Sequence, residues 1–223
     1  MYCLLDDVLR FTRPAALPPP PLGQRLTDAQ VLTTALVAAR LFGGNLVVGK
    51  HYMEQHWGQH QLDKSGFTRR LHALTDTLLA RFATMGDLLK QLHTEARYVL
   101  DSFPVAVCHN TRIPRCKLLT GKAYHDRCAS KRNWFYGLKV QVVATSGGIP
   151  VEFTIHAGAE SEQAGWRRLA LDLPAGSVLY TDAGYIDYVA EDLFNEASGS
   201  QQQSARRKDS KRPHHPAQSF LIQ

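Results

Sequence analysis

The stretch Tyr98-Val99-Leu100-Asp101-Ser102-Phe103-Pro104-Val105-Ala106-Val107 decides the fold class, because most of its residues are apolar and several are β-branched or aromatic. This composition is typical of a strand that is buried in a sheet. One acidic residue, Asp101, lies within it. An ionised carboxylate among apolar neighbours costs on the order of several kcal/mol unless it is paired or bound to a metal ion. Asp101 is therefore a candidate functional residue.

The chain after this strand predicts further strands and helices. Strands are predicted over 135–144, 149–155 and 177–181, and helices over 161–171 and 188–197. Gly147-Gly148 is the expected turn of a hairpin between the first two of these strands, and Ser161 is the expected cap of the first helix. Together with the first strand, the order is strand, strand, strand, helix, strand, helix. This order predicts an α/β domain with mixed strand pairing.

The residues before Arg97 predict a helical module instead. The stiff spacer Pro18-Pro19-Pro20-Pro21 separates a short N-terminal arm from this module. Thr27 and Gln30 fit a capping box at the start of a helix that Gly43-Gly44 ends. Further helices are predicted over 51–57, from Ser65 to Phe82 and over 87–96. The predicted domains are an arm (1–24), a helical module (25–96), an α/β domain (97–205) and a basic tail (206–223).

The positive charge of the chain is concentrated in two segments. The formal net charge is +6, whereas residues 109–139 carry +7 and residues 206–212 carry +4, so the remainder is acidic. The basic residues are Arg112, Arg115, Lys117, Lys122, Arg127, Lys131, Arg132 and Lys139 in the first segment, and Arg206, Arg207, Lys208, Lys211 and Arg212 in the second. Such a local excess is typical of a surface that binds nucleic acid or another polyanion. A solvated face followed by a basic tail would give the same pattern.

Aromatic residues are interleaved with the first basic segment. Tyr124 and Trp134-Phe135-Tyr136 could stack on exposed bases. The three consecutive aromatics could equally begin a core strand, and we favour that interpretation for them. The aromatic residues therefore leave the choice between nucleic acid and another polyanion open.

Other features of the sequence exclude several classes of protein. No run of eighteen apolar residues is present, so no membrane span is expected. The start of the chain is acidic at Asp6-Asp7, where a signal peptide would be basic. The four cysteines have no regular spacing, which argues against a secreted disulfide scaffold. We therefore expect a cytoplasmic protein with reduced thiols.

A second aspartate, Asp182, follows the predicted strand 177–181. One buried aspartate alone is weak evidence of function, because such residues often cap a turn or meet an arginine. Two on strands that could be neighbours form a stronger pattern, because carboxylate oxygens on adjacent strands can hold hard divalent cations such as Mg²⁺. Two such ions about 3.5–4 Å apart can activate a hydroxyl and stabilise the leaving oxygen in phosphoryl transfer. With the basic segments, the pair indicates an enzyme that acts on a nucleic-acid backbone.

Three blocks of sequence resemble bacterial insertion-sequence transposases of the DDE class. They are Tyr98 to Pro104, Lys131-Arg132-Asn133-Trp134-Phe135-Tyr136-Gly137-Leu138-Lys139 and Leu179-Tyr180-Thr181-Asp182-Ala183-Gly184-Tyr185. Within that class the chain is most similar to the insertion-sequence nine-eighty-two family, and the resemblance runs from about Thr27 to the last residue. The combination of blocks is specific.

The resemblance implies a ribonuclease-H-like fold. It also implies cleavage of DNA at the ends of the element and strand transfer to target DNA, with Mg²⁺ or Mn²⁺. Asp101 and Asp182 would be the first and second catalytic acids and the metal ligands. The helical module would bind DNA through a recognition helix from Ser65 to Leu74, which carries Arg69 and Arg70. The implied partners are terminal repeats and target DNA in the nucleoid, with room for a homo-oligomer but no membrane or small-molecule substrate.

The third acid of this class is a glutamate on a helix beyond the second aspartate. The chain stops at Gln223, where that helix should open, so we expect a C-terminally truncated, catalytically incomplete copy. Glu191 and Glu196 lie after Asp182 but on the intervening helix, where a solvated face is the favoured interpretation. A sheet without the missing helix should also expose apolar surface.

Two other functions stay open. A non-catalytic DNA-binding protein could occupy element ends, or join full-length subunits and block them. A stand-alone ribonuclease-H-like nuclease is a more remote alternative, because it also needs the third acid. Substitution of Asp101 discriminates between the transposase and the DNA-binding protein, because only the transposase has cleavage activity to lose.

Overall fold

The computed structural model describes residues 2–11, 26–57, 62–128, 132–169 and 171–205. The chain divides into two compact units, Met1–Phe82 and Ala83–Gln223. The first unit is helical, and the second is built on a six-stranded sheet with helices. The proline spacer, Lys131 and the basic tail from Arg206 onward lie outside the described residues.

Helices α1 to α5 build the first unit. They are α1 (Tyr2–Phe11), α2 (Asp28–Leu41), α3 (Leu46–Trp57), α4 (Lys64–Ala73) and the part of α5 (Thr75–Leu92) up to Phe82. The capping box of Thr27 and Gln30 is confirmed at the start of α2, where it satisfies two backbone N–H groups. The buried core of this unit consists of Leu26, Val31, Leu32, Phe67 and Leu74.

The connection between α2 and α3 is tight. Gly43 and Gly44 follow α2 with left-handed φ values of 57° and 84°, a conformation that favours glycine. α3 begins at Leu46, earlier than the expected residue 51, because Asn45 Oδ1 accepts hydrogen bonds from the N–H groups of Val47 and Val48.

In the described part of the chain no single helix is long and apolar enough to cross a membrane. Only α2 and α3 together reach that length and composition, and they are bent by 119°.

The helices around Leu74 differ from the expectation. The helix expected from Ser65 to Phe82 is two helices, because the chain turns at Leu74 and buries that side chain in the core. The separate helix expected over 87–96 is wrong, since α5 runs unbroken from Thr75 to Leu92. Gly86 does not end α5; it lets the helix approach the carbonyl oxygen of Val151, which a side chain at this position would overlap.

The second unit contains a mixed sheet. Its strands are β1 (Arg97–Cys108), β2 (His125–Cys128), β3 (Asn133–Thr145), β4 (Pro150–Ala157), β5 (Val178–Thr181) and β6 (Gln201–Ser204). The order across the sheet is β2-β3-β1-β5-β6, and β4 also pairs with β3. β1, β2 and β4 run antiparallel to β3, whereas β5 is parallel to β1 and β6 is parallel to β5. The predicted α/β class with mixed pairing is confirmed.

One face of this sheet carries the core of the second unit. The core consists of Tyr98, Leu100, Val143, Val151, Trp166, Leu173, Leu179 and Tyr185. Helices α6 (Glu162–Arg168) and α7 (Tyr188–Ser198) contribute to it, and the rings of Trp166 and Phe194 pack edge to face with centroids 5.4 Å apart. Burial of these large side chains is the main stabilising contribution to the unit.

The opposite face of the sheet is more open. Side chains alternate along a strand, so Leu100 points to the core whereas Asp101 and Phe103 belong to the other face. Phe103, Val105 and Ile155 are respectively 51%, 41% and 53% exposed. Apolar surface on the sheet is therefore present among the described residues.

Strands β2 and β6 were not expected from the sequence. β6 is polar throughout, yet Gln202 and Ser204 are buried, and Gln202 Nε2 donates to Ser204 Oγ at 3.1 Å. Thr181 Oγ1 of β5 also donates to Ser204 Oγ, at 2.9 Å. A search for apolar strands overlooks such a strand, because its buried side chains are hydrogen-bonded rather than apolar.

α6 ends at Arg168, before the expected residue 171, and the two leucines just beyond it, Leu169 and Leu171, pack against the core.

Candidate active site

The register of two parallel strands brings Asp101 and Asp182 to the same level of the sheet. Leu100 of β1 is paired with Thr181 of β5, and each of these residues is followed by one of the aspartates. β5 ends at this level, whereas β1 continues to Cys108. Ligand sites in open α/β sheets commonly lie where parallel strands end in this way. The two acids selected from the sequence are thus neighbours in the fold.

Backbone N–H groups fix both aspartates. Asp182 Oδ1 accepts a hydrogen bond of 2.8 Å from the N–H of Gly184, at the start of the short 3₁₀ turn Ala183–Tyr185. Asp101 Oδ1 accepts one of 2.7 Å from the N–H of Ser102. Both residues are exposed as a whole, and the carboxyl group of Asp182 is partly shielded from water by its neighbours.

A third carboxylate, that of Glu162, lies beside the pair. Glu162 is the first residue of α6, and the hydroxyl of Ser102 on β1 donates to its Oε1 at 2.7 Å. Its Oε2 lies against Gly184, where a Cβ atom would overlap it. The side chain therefore contacts the residue after Asp101 and the residue two positions after Asp182.

The position of Glu162 is fixed from β3 as well as from β1. Gln141 of β3 is completely buried, and its Nε2 donates to the backbone carbonyl of Glu162 at 2.8 Å. Ser161 caps α6 by accepting a hydrogen bond from the N–H of Ala164, as expected. The start of α6 is thus tied to two strands of the sheet.

The three carboxylates influence one another electrostatically. Burial raises the pKa of Asp182, and the negative charges of Glu162 and Asp101 add to this, while the N–H of Gly184 opposes it. In the described part of the chain, no Lys or Arg forms an ion pair with any of the three. The cluster therefore has uncompensated negative charge.

Tyr185 lies beneath this cluster. Its side chain is completely buried, and its hydroxyl has no hydrogen-bond partner among the described residues. Burial raises the pKa of Tyr185, the neighbouring Ser102 hydroxyl opposes this, and the charges of Glu162, Asp182 and Asp101 raise it further. The Ser102 hydroxyl lies close to the phenol and donates its own proton to Glu162. The phenol is thus a buried polar group near the acids.

These residues have the donor chemistry of a site for a hard divalent cation. Carboxylate oxygens are the ligands that Mg²⁺ prefers, and Mg²⁺ is usually held by one or two carboxylates plus water and substrate oxygens. Among the described residues, no three His, Cys, Asp or Glu side chains already converge on a common point as ligands. The fold therefore supplies two neighbouring aspartates with Glu162 at their side.

Glu162 was missed by the sequence interpretation. The search for a third acid considered only residues after Asp182, and these lie elsewhere: Glu191 is buried within α7, and Glu196 is exposed on it. The available signal was an acidic residue in the first turn of the helix between the third and fourth predicted strands. That signal also fits a favourable helix dipole, so it carried no information by itself.

The selected basic residues that the structure describes fall into two groups. Arg69, Arg112, Arg115, Lys117, Lys122, Arg127 and Arg132 are exposed and form no ion pair within the described residues. Arg70 donates to Asp28 within the helical unit, and Lys139 Nζ lies 2.8 Å from Asp126 Oδ2. Lys131 and Arg206, Arg207, Lys208, Lys211 and Arg212 lie outside the described residues. Among the selected basic residues that the structure describes, only the first group has its charge unpaired and open to solvent.

The aromatic residues of the first basic segment differ in their burial. β3 begins at Asn133, and the strand interpretation of the three aromatics holds for its backbone. Phe135 and Tyr136 are buried, whereas Trp134 is 55% exposed. Trp134 is the cross-strand neighbour of Arg127, and its ring lies 5.1 Å from that of His125. An exposed indole beside a cation can stack on a base.

Comparison with known proteins identifies the class. Residues 91–219, more than half of the chain, match the family described as Transposase DDE domain. The chain belongs to this family of DDE transposases. Searches of the curated proteins and of the solved structures give no match. The predicted transposase class is confirmed; such enzymes act on DNA and generally use divalent metal ions.

Proposed function

We propose that the chain is a DDE transposase of the insertion-sequence nine-eighty-two type. It cleaves DNA at the ends of the element and transfers the freed strand to a target, with Mg²⁺ or Mn²⁺. The observation that carries the proposal is the position of Asp101 and Asp182 at one level of two adjacent parallel strands, inside the matched family region. These two residues are the proposed catalytic acids and metal ligands.

The topology supports a ribonuclease-H-like fold for the second unit. An antiparallel set, β4-β3-β1, is followed by β5 and β6, which run parallel to β1. In this proposal residues 97–205 form the catalytic domain, residues 25–96 bind the element ends, and the arm 1–24 and tail 206–223 flank them. The helix that carries Arg69 would be the recognition helix.

The donor set fits the divalent cation that this chemistry uses. A cation held by Asp101 and Asp182 would activate a water or a DNA 3′-hydroxyl and neutralise charge on the phosphate. The chain itself orients the acids, because the N–H groups of Ser102 and Gly184 each hold one carboxylate oxygen. The packed core under the sheet, which includes Tyr185, keeps water away from that side of the site.

The exposed cations beyond the end of β1 are the proposed contacts to DNA phosphates. Arg112 and Arg115 lie in the 3₁₀ segment Asn110–Arg115 that follows β1, and Arg127 lies on β2 beside Trp134. Phosphate contacts from such side chains release counterions, so binding should weaken steeply with salt. The indole of Trp134 would stack on a base of a distorted or single-stranded end.

The decisive experiment measures cleavage of element-end DNA with Mg²⁺ by the full chain and by Asp101→Asn. We expect the substitution to lower the cleavage rate by at least about 100-fold, because it removes a charge that holds the cation. DNA affinity measured in EDTA should not change. Asp172→Asn is the matched control, because Asp172 is an exposed aspartate of the same unit away from the strand pair. Equal cleavage by the parent chain and Asp101→Asn would refute the proposal.

A second function is a DNA-binding protein without cleavage activity, which would occupy element ends or block active subunits. The observation that favours it is that no three ligand side chains in the described residues converge as a closed metal site, while the exposed cations are unpaired. The same experiment distinguishes the two functions. Tight, salt-dependent DNA binding with no cleavage by the parent chain supports the second.

A further inference from the structure

Two cysteines flank the 3₁₀ segment Asn110–Arg115. Cys108 is the last residue of β1, where it pairs with Tyr136 of β3. Cys116 directly follows the segment, and its N–H donates to the carbonyl of Ile113 at 3.0 Å. The chain therefore leaves the sheet at one cysteine and completes a short loop at the other.

The two thiols contact each other across this loop. The S–H of Cys108 donates a hydrogen bond to the sulfur of Cys116. Both residues are partly exposed, and both thiols are free. Since sulfur atoms that share a hydrogen bond are close together, a disulfide between them needs only a local adjustment of the two side chains. Their exposure lets a small oxidant reach them.

The surroundings make the two thiols chemically different. The N–H of Leu119 holds the pKa of Cys116 below the ordinary cysteine value. Burial opposes this, whereas the N–H of Leu118 and the thiol of Cys108 lower the pKa of Cys116 further. Burial raises the pKa of Cys108, and the hydrogen bond and charge of Cys116 add to this, while Arg112 opposes it. Because the thiolate is the nucleophilic form, Cys116 is the thiol that attacks first.

We propose that Cys108 and Cys116 form a redox-active pair, which a hydroperoxide such as hydrogen peroxide converts into an intramolecular disulfide. The sulfur of Cys116 attacks the O–O bond, so that an S–O bond forms and the first water leaves. The sulfur of Cys108 then attacks this sulfenic acid. The S–S bond forms, the S–O bond breaks, and the hydroxide takes the thiol proton of Cys108 to give the second water. The two thiols lose two electrons, which the peroxide gains, and a small thiol reverses the reaction by exchange.

The disulfide alters a surface that carries two of the proposed DNA contacts. Arg112 and Arg115 are exposed and lie between the two cysteines. The disulfide removes the negative charge of the thiolate from this surface and restrains the segment at both ends. Both changes strengthen DNA binding, because repulsion of phosphate falls and less freedom is lost on binding. This effect on DNA rests on the proposed function, whereas the disulfide itself does not.

The first test treats the full chain with hydrogen peroxide and locates the disulfide by non-reducing peptide mapping. Cleavage after Arg112 or Arg115 puts the two cysteines on separate peptides, which stay joined only if a disulfide connects them. We expect this link in the parent chain, and its loss on addition of a small thiol. In Cys108→Ser no link should form, and dimedone should trap the sulfenic acid of Cys116. Cys128→Ser is the matched control, since Cys128 is a partly exposed cysteine of the same basic segment, and it should form the link as the parent does.

The peptide map of the parent chain decides the pairing even if a variant does not fold. A disulfide that includes Cys128 would overturn the proposal. So would oxidation of Cys116 to sulfinic acid in the parent chain without any disulfide.

The second test compares the DNA affinity of the oxidised and reduced parent chain in EDTA at about 0.1 M salt. We expect the oxidised chain to bind about two- to tenfold more tightly, and a small thiol to restore the original affinity. Cys116→Ser, treated with peroxide in the same way, should gain no affinity. Equal affinity of the oxidised and reduced parent would show that the disulfide does not control DNA binding. Absence of DNA binding in both states would contradict the proposed function instead, while the peptide map would still decide the disulfide.

Discussion

Opposite charges gather around Asp101 of β1 and beyond the end of β1 at Cys108, and we call these two regions the acidic half and the basic half. Around Asp101, the carboxylates of Asp182 and Glu162 lie close by, with no basic side chain of the described chain paired to them. Beyond Cys108, exposed arginines and lysines dominate, and the acid Asp126 is neutralised by Lys139. One strand thus connects a region that attracts cations with a region that attracts polyanions.

This difference separates two properties that a transposase must combine. In the proposed function the basic half would hold DNA whatever its sequence, because phosphate contacts act through charge. The acidic half would act on a phosphodiester only after a cation has reversed the local charge. Loss of function in one half should therefore leave the other half intact, and substitutions in each half can test that separation.

Among the substitutions that compare the two halves, we expect the largest effect, on Mn²⁺ affinity, at Gly184. Gly184→Ala introduces a methyl group that overlaps Glu162 Oε2, which lies at the end of a flexible side chain and can move. The same methyl group would come to 3.0 Å from Oδ1 of Asp182, a proposed metal ligand, so Mn²⁺ affinity should fall by about 10–100-fold while DNA binding in EDTA stays unchanged. The melting temperature should change little, because a side-chain end and not the backbone is displaced.

Gly147→Ala is the matched control for this substitution. Gly147 lies in the turn between β3 and β4, and a Cβ there would come no closer than 3.8 Å to Thr145 Oγ1. This variant should bind Mn²⁺ as the parent chain does. If Gly184→Ala also binds Mn²⁺ like the parent, the turn that holds Asp182 does not determine Mn²⁺ binding.

An intermediate effect is expected in the basic half. Arg127→Gln removes an exposed charge beside Trp134, and DNA affinity at about 0.1 M salt should fall by up to about tenfold. The slope of log affinity against log salt should decrease by about one. Mn²⁺ affinity should not change, since Arg127 is not part of the acidic cluster.

Arg97→Gln provides the comparison. Arg97 is also exposed on a strand, but it begins β1 at the end away from the basic residues. Its substitution should leave the salt dependence of DNA binding unchanged. Equal losses from Arg97→Gln and Arg127→Gln would show that net charge, and not the basic half, determines DNA affinity.

The smallest effect concerns Asp126. Burial alone would raise its pKa, but the hydrogen bond and charge of Lys139 outweigh this and hold the pKa below its ordinary value. A carboxyl with a depressed folded pKa contributes stability above its unfolded pKa of about 3.9, and this is lost as the pH falls through the folded value. Asp126→Asn should therefore lower the free energy of unfolding at pH 7 by less than about 1 kcal/mol, because the pair is partly exposed.

Urea unfolding of the parent chain and Asp126→Asn between pH 7 and about pH 3 checks this prediction. The difference between the two proteins should begin to shrink as the pH drops below about 3.9 and should be lost as the pH falls through the lower folded pKa of Asp126. A difference that grows towards low pH would contradict the role of the ion pair with Lys139.

Much of the fold can be predicted from local patterns. β1, β3, β4 and β5 are apolar segments bounded by turns or caps, and the caps at Thr27 and Ser161 mark two helix starts. Two features of the fold could not be predicted from local patterns. The polar strand β6 and the turn at Leu74 depend on contacts with distant residues, which no local pattern contains.

The candidate site divides in the same way. Asp101 and Asp182 could be selected from the sequence, because each stands in or directly after an apolar strand. Their common level depends on the register of β5 on β1, which the sequence does not state. Glu162 could not be selected, because its position beside the aspartates depends on distant residues. These are Ser102, 60 positions away, which donates to its carboxylate, and Gly184, which leaves space for it.

The parallel pairing of β1 with β5 also has a consequence for folding. Asp101 and Asp182 are 81 positions apart, and closing a flexible loop of that length costs about 4 kcal/mol of chain entropy. A cation shared by both strands binds the folded chain and not the open one, so it opposes the reopening of the loop. The ion that serves the chemistry would then act as a reversible cross-link, and the lifetime of the native state would depend on the free Mg²⁺ of the cell.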